Sequence, residues 1–301
     1  MCNKVEIISS INQINKELDR ILILKDPRLF NKILKQLQDA LLNAYNGQRE
    51  VAVKDAIYYL TSLDKENFSE TDIKKIDKII SDKLGMKLNQ LIEKEIQEVS
   101  EKAFKLGVKD ILKPLSMKLS FDVNDEKAME ILSKQNLFWV GRFYGDQVSE
   151  KFNNALTGYF NSDKTIQEVS DILQSDFYKV SDKGVDYFKS LAEYSVNRTR
   201  NLGSVSGFEK AGITEYEIQG VVDDRTCALC LSMQGRRFQV QSAISFRDKI
   251  LDLKSPDDIK TLAPWLKPAD VEGVETSDLP DHMCMPLYHF NCRDQMAPVF
   301  N

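Results

Sequence analysis

The sequence predicts a mainly α protein: an elongated series of helices followed by a small α+β module with a short antiparallel hairpin near the C-terminal end. Three observations carry that reading. Apolar residues recur at spacings of three and four through the first two-thirds of the chain, which lines them along one face of successive helices. Tyr216, Ile218 and Gly220 alternate with Glu217, Gln219 and Val221, an imperfect period of two that belongs to a strand. Four of the five cysteines and both histidines fall in two short segments, 223–238 and 281–299, so one compact region is stapled by side-chain chemistry.

The helices follow in order. Leu29, Phe30, Ile33, Leu34, Leu37, Leu41 and Ala44 form the first stripe, and Asn46-Gly47 is expected to end it. A second helix is expected over 51–60. Ser69 is the expected N-cap of a third, whose stripe is Ile73, Ile76, Ile79, Ile80 and Leu84. Leu88, Leu91, Ile92, Ile96, Val99, Ala103 and Leu106 mark a long helix with Gly107 as its expected end. Pro114 and the run Leu119 to Val123 interrupt the helical pattern. Asn124 is the expected cap of a helix to about Ser133, and Phe138, Trp139, Phe143, Val148, Phe152, Ala155, Leu156 and Tyr159 mark another. Thr165 with Glu168 has the form of a capping box, opening a short helix to about Leu173. A last helix is expected over 181–201. These stripes read as helix-to-helix core. The expected divisions are a helical domain over 1–120, a helical region over 121–205, and a module over 206–301. In the module, Arg237 to Val240 is expected to pair with the Tyr216–Val221 strand, and 241–280, with four prolines, to form short helices and loop.

Composition limits the partners. Net charge is −5 over 301 residues, with 42% hydrophobic and 29% charged residues, the balance of a soluble globular chain. Residues 1–120 hold 21 basic against 18 acidic side chains, net +3, which leaves −8 for the rest. That asymmetry is too mild for a protein that coats duplex DNA, so any DNA contact is expected to be weak and non-specific. There is no apolar run of about twenty residues and no basic-then-apolar start, so no membrane span and no signal peptide are expected. Cysteines kept in a reducing compartment favour metal over disulfide. Cys2 stands alone and carries no expected role.

Cys227-x-x-Cys230 and His289-x-x-Cys292 have the spacing of a closed tetrahedral zinc site. Thiolate and imidazole are the donors a borderline-soft ion prefers. Cys227, Cys230, His289 and Cys292 are therefore the candidate ligands of a structural Zn2+ that ties two distant segments together. Cys284 can replace His289 as the fourth ligand or be inert packing. Two other states stay open for these thiols: reduced pairs half-buried in a core, and a disulfide. Asp281-His282 has the start of a metal-nuclease pattern but lacks the further His and Asn residues that pattern needs.

The same residues resemble the C-terminal module of phage head-morphogenesis proteins, the family of the phage Mu minor head protein F. That family shows a helix, a Gly-containing turn, a strand, an Arg-Thr-Cys-x-x-Cys segment, a Gly-(basic)-x-Phe strand and a closing Pro-x-x-His-x-Asn-Cys-Arg. Here these are Leu191–Asn201, Phe208–Ile213, Tyr216–Val221, Arg225–Cys230, Gly235–Phe238 and Pro286–Arg293. Two positions differ: Tyr194-Ser195 stands where the family often has Thr-Glu, and Asp294 where it often has a further Cys. Neither is among the four proposed ligands. The resemblance is firm from about Tyr144 onward. It implies a minor capsid protein of a tailed phage or prophage, with the portal or other capsid proteins as partners, DNA as a further contact, and a location in the virion or in the host cytoplasm during assembly.

The alternative is a zinc-dependent enzyme, a hydrolase or a phage-delivered nuclease or toxin-like effector. Some members of the family carry such a domain after the module, and this chain ends nine residues after Cys292, so none is expected. The residues argue the same way. There is no Gly-rich phosphate loop, no Ser-His-Asp set apart from the cysteines, and no His-x-Glu ahead of the Cys-x-x-Cys as in zinc deaminases. Four ligands close a site, whereas a catalytic zinc keeps a position open. No catalytic residue is assigned.

Overall fold

The computed structural model describes residues 27–63, 69–143, 148–160, 165–253, 255–286 and 288–300. Cys2 and Leu287 lie outside them, as do the side chains of Phe152, Ala155 and Tyr159. The elements are α1 (Pro27–Thr61), α2 (Glu70–Ser81), α3 (Leu88–Leu112), α4 (Val123–Phe143), α5 (Glu150–Phe160), α6 (Ile166–Ala211), β1 (Glu215–Gln219), α7 (Ala228–Met233), β2 (Arg237–Gln239), α8 (Val240–Leu251), α9 (Asp258–Leu262) and β3 (Gln295–Pro298). The fold is mainly helical with one small antiparallel sheet. The chain divides into two compact units. Among the described residues, one comprises those within 35–99 and 133–193; the other comprises those within 27–34, 100–132 and 194–300.

Several helices run further than the sequence suggests. Asn46-Gly47 does not end α1, which continues to Thr61. The buried stripe simply carries on, from Leu37, Leu41 and Tyr45 to Ala52, Ala56 and Leu60. Burial of that stripe offsets the roughly 1 kcal/mol that a mid-helix glycine costs against alanine. Ser69 does begin α2, with the Asp72 carboxylate accepting from its backbone N–H at 2.9 Å. A π-helical turn, Asp82–Lys87, leads from α2 into α3. The expected break between 173 and 181 is absent, and α6 is one helix of 46 residues. No proline or exposed turn pair interrupts that stretch. Its Gly184 sits where a Cβ would lie 2.3 Å from the Tyr45 ring, so the glycine admits an aromatic side chain rather than a bend. The Thr165 capping box forms as expected, with Thr165 N–H to Glu168 Oε2 at 2.7 Å and Glu168 N–H to Thr165 Oγ1 at 3.2 Å.

Gly107 does not end α3 either. A Cβ there would lie 2.0 Å from the carbonyl oxygen of Arg200, and one on Gly203 would lie 2.2 Å from that of Phe104. The two glycines let the backbones of α3 and α6 approach more closely than any side chain permits. Arg200 adds an ion pair to Asp110 at 2.6 Å. What ends α3 is a left-handed cap. Ser116 has φ of 55°, Met117 N–H bonds Leu112 O at 3.0 Å, and Ser116 N–H bonds Lys113 O at 3.0 Å, the pairing of a Schellman turn.

Asp122, not Asn124, caps α4. Its carboxylate accepts from the N–H groups of Asn124 at 2.9 Å and Asp125 at 3.1 Å. It also accepts from Lys210 Nζ at 2.6 Å, and Asp125 accepts from the same ammonium at 3.0 Å. The Lys210 bond, then the Asp125 N–H, hold the Asp122 carboxyl below its ordinary value. A depressed carboxylate stabilises the fold above its unfolded pKa of about 4 and loses that contribution as pH falls. Asp122→Ala is expected to cost about 1 kcal/mol at pH 7 in urea unfolding, as lost caps do. The difference from wild type should shrink as pH drops below about 4, where the wild-type carboxylate protonates too.

The sheet is wider than a hairpin. β1 pairs antiparallel with β2, Tyr216 opposite Phe238, as the sequence suggests. It also pairs antiparallel with β3, Ile218 opposite Met296, giving the order β2-β1-β3. Gly212, at φ 65°, turns α6 into β1, with Ile213 N–H to Phe208 O at 3.0 Å. Tyr216 and Ile218 face inward and are fully buried. Tyr216 stacks on Phe208 at 5.5 Å and on Phe238 at 6.1 Å. Around it, Phe104 and Val108 of α3, Leu202 and Val205 of α6, Met233, Phe246 and Met296 make one apolar core. That core carries the cysteine segments on its rim.

Candidate metal centre

Three elements position the site. After β1 the chain turns at Asp223, whose Oδ1 accepts from Arg225 N–H at 3.0 Å, while Thr226 Oγ1 donates to Val221 O at 2.8 Å. This turn sets Cys227 in extended backbone at the start of α7, one turn before Cys230. The Cys227 sulfur accepts from Cys230 N–H at 3.4 Å, so a helix start faces one of the sulfurs. From the other side, Asn201 of α6 donates to Asp294 O at 3.2 Å and to Pro286 O at 3.5 Å, gripping both ends of the closing segment. Arg293 forks onto Asp223, with Nη1 to Oδ2 at 2.9 Å. The fork holds the Asp223 carboxyl well below the usual carboxylate range.

Within that frame the predicted residues meet. The Nε2 of His289 lies 3.2 Å from Cys227 Sγ and 3.1 Å from Cys230 Sγ. Cys230 Sγ lies 3.6 Å from Cys292 Sγ. A tetrahedral ion with metal–sulfur bonds of about 2.3 Å and metal–nitrogen bonds of about 2.0 Å spaces its donors roughly 3.5–3.8 Å apart. The sulfur pair matches that spacing and the histidine contacts are somewhat tighter. The cluster can therefore hold a metal ion. The described cysteines are free thiols, so the disulfide alternative is not what the structure contains.

Protonation suits a ligand set in part. Burial lowers the pKa of His289, which favours the neutral ring that ligation needs. The His289 Nδ1 accepts from Asn291 N–H at 3.3 Å, which in a neutral ring leaves the proton on Nε2. Ligation through Nε2 would require the proton to move to Nδ1 and that contact to open. The Cys230 thiol is raised, first by its bond to Cys292 and then by burial, so an ion must displace a tightly held proton.

The donors form two overlapping triads rather than one square of four. Cys227, Cys230 and His289 make the first; Cys230, Cys292 and Asp294 make the second. Asp294 is the residue that the motif spacing did not single out. Its sequence signals are its place two residues after Cys292 and its standing where the resembled family often has a further Cys. Cys284 is in neither triad: its thiol is buried, pushed up to about 12 by desolvation, and its carbonyl accepts from Tyr216 Oη. His282 is in neither as well. It lines a cavity of about 30 Å³ with Tyr194, Trp265 and Tyr288, room for about one water molecule.

Arg236, the basic residue of the Gly-(basic)-x-Phe strand motif, also anchors the insertion over 241–280. Its guanidinium donates to Ser232 O at 2.8 Å, Val274 O at 2.7 Å and Val271 O at 3.1 Å. It thus joins the end of α7 to the loop that returns toward His289. Tyr194 stacks on Phe290 at 5.5 Å, so the aromatic neighbour of His289 rests on α6.

No family model, curated protein or solved structure matches this chain. No helix among the described residues is long and apolar enough to cross a membrane.

Proposed function

We propose that this chain is a minor capsid or head-morphogenesis protein of a tailed phage or prophage, associated with the portal and taken into the procapsid. Its module is held by a structural Zn2+ on Cys227, Cys230, His289 and Cys292. The observation that supports this reading is the meeting of the two motif segments across some sixty residues of chain. Arg225-Thr226-Cys227 and Asn291-Cys292-Arg293, the residues that carry the family resemblance, converge on one cluster and are clasped a second time by Asp223 and Arg293. When bound, the ion supplies a second junction between segments that the shared apolar core already draws together. The helices carry the partner surface, and any DNA contact is non-specific, in keeping with the mild charge asymmetry.

The test is quantitative mass spectrometry of purified procapsids and virions from the producing phage or induced prophage. The chain is expected in a few copies per portal ring and to co-purify with portal protein from disrupted particles. Its absence from both particles would overturn the proposal.

A further inference from the structure

The second triad raises a separate question: why a carboxylate is buried against two thiols. Asp294 is 2% exposed. Its Oδ1 accepts from Gln234 Nε2 at 2.9 Å, and Gln234 Oε1 accepts from Gly220 N–H at 2.8 Å. A Cβ on Gly220 would lie 2.2 Å from that same Oδ1, so the end of β1 is left bare where the carboxylate sits. The other oxygen, Oδ2, is buried and accepts from no N–H or O–H group among the described residues; the thiols of Cys230 and Cys292 are the polar neighbours that work against the upward push of burial on this carboxyl. Asp294 offers one carboxylate oxygen to a group, with Cys230 and Cys292, whose donor atoms all lie within 4.8 Å of one another.

A buried carboxylate oxygen with only weakly donating thiols beside it is costly unless a proton or a cation completes it, and three sulfurs and an imidazole in the same cluster favour the cation. The carboxylate is also fixed by a built network, Gly220 to Gln234 to Asp294, which orients one oxygen and leaves the other for the sulfurs. Orientation of a ligand through its second oxygen is how metal-binding carboxylates are held. We infer that Asp294 is itself a ligand of the ion, bound through Oδ2 beside Cys230 and Cys292. The inference rests on the metal reading of the cluster. The site then offers five donors, three sulfurs, one nitrogen and one oxygen, to an ion that takes four in a closed structural site. Cys230 belongs to both triads and is the pivot; His289 belongs to one and Asp294 to the other, and on this reading they can replace one another. Such a mixed set binds borderline ions of the Zn2+ and Co2+ type, while its single oxygen offers little to Mg2+ or Ca2+.

The test is Co2+ titration of the reduced full-length protein, followed by absorption, with circular dichroism to check the fold. Wild type is expected to show sulfur-to-cobalt charge-transfer bands and the visible bands of a tetrahedral ion. Asp294→Ala should shift the visible bands and weaken Co2+ binding by about 10–100-fold, the range already seen for residues that only orient a ligand. Asp294→Cys should add one thiolate's worth of charge-transfer intensity and move the visible bands to longer wavelength. The double variant His289→Ala/Asp294→Ala should lose far more affinity than the two single variants together predict, because the reserve donor is gone. Asp294→Ala with the wild-type spectrum, at any affinity, overturns the inference, since the residue then acts only from behind the ligands. Asp294→Cys with unchanged charge-transfer intensity overturns it equally, and decides the matter if the alanine variant does not fold. Wild-type protein that shows no cobalt bands overturns the metal reading and this inference together; wild-type bands with unaltered variants overturn this inference alone.

Discussion

Cys230→Ser protein will bind no stoichiometric metal ion and will unfold at a lower temperature than wild type. Cys230 is the one donor common to both triads, and its sulfur contacts both the Cys292 sulfur and the His289 ring. Removing it leaves no three donors grouped on one side. If the folded protein holds an ion whose free concentration is a thousandfold above Kd, the ion contributes about 4 kcal/mol of stability. Loss of that contribution should appear as a lower Tm and as faster hydrogen exchange in 223–234 and 286–298, because the elements there, the six-residue α7 and the four-residue β3, are short. Chelation of wild type should reproduce the change, and added Zn2+ should reverse it. Cys284→Ser is the matched control. It lies in the apolar core outside both triads, so it should keep its ion and lose about 1–3 kcal/mol for the buried hydroxyl. Ion binding should also weaken as pH falls. The thiols must give up protons to ligate, and the Cys230 proton is held more tightly than that of a free cysteine. Competition with a chelator at pH 6 and pH 8 measures this. An ion equally well held at both values, or retained in Cys230→Ser, would place it elsewhere.

The second large effect is expected at the crossing of α3 and α6. Gly107→Ala and Gly203→Ala each set a methyl group about 2 Å from a backbone carbonyl oxygen of the facing helix. Neither carbonyl is the end of a flexible side chain, so relief requires the helices to part. Overpacking commonly costs about 1–3 kcal/mol, and a backbone on both sides of the clash puts these variants at or above the upper end, about 3 kcal/mol or more. The double variant should cost less than the sum, because helices already separated by the first methyl accept the second. Gly47→Ala is the contrast, since nothing lies within 4 Å of a Cβ there. It should stabilise by roughly 0.5–1 kcal/mol. Urea unfolding of the four proteins measures all of this. A strictly additive double variant would mean that the two glycines act at independent places.

Parting these helices would reach the cysteine cluster. Asn201, which holds the closing segment at Pro286 and Asp294, lies on α6 between the Arg200 carbonyl and Gly203. Gly203→Ala should therefore weaken Co2+ binding as well as stability, although the residue is no ligand. The core that positions the donors is the one built on Phe104, Leu202 and Tyr216.

The helices were legible because their apolar stripes have the helical period, and burial follows most of them: Ile33, Leu37, Leu41, Ile73, Ile76, Ile80, Leu88, Ile92 and Ile96 are in the core, whereas Leu91, expected in the same stripe, is exposed because it lies one position off the buried face that Leu88 and Ile92 share. Their ends were less so. Asn46-Gly47 and Gly107 carry the local signal of a helix stop, yet both lie inside helices. A glycine serves equally as a cap and as a gap for another backbone, and only the partner distinguishes the two. At Gly107 the partner is Arg200. The third strand was not legible, since Gln295 to Pro298 has no alternation, and its pairing with β1 is a contact across some eighty residues.

By itself the sequence determined the mainly helical class, the strand alternation that sets Tyr216 and Ile218 on one face, and Cys227, Cys230, His289 and Cys292 as the candidate cluster. Each of these is written in local spacing, and periods of 3.6, of two and of Cys-x-x-Cys survive whatever the rest of the chain does. The tertiary structure alone decided that Asp294 lies beside Cys230 and Cys292, that Cys284 and His282 stand apart, and that Gly107, Gly203 and Gly220 are empty places for a neighbour. Those facts depend on which atoms a distant segment brings within about 4 Å, a length at which dispersion and hydrogen bonds act, and no spacing along the chain encodes it.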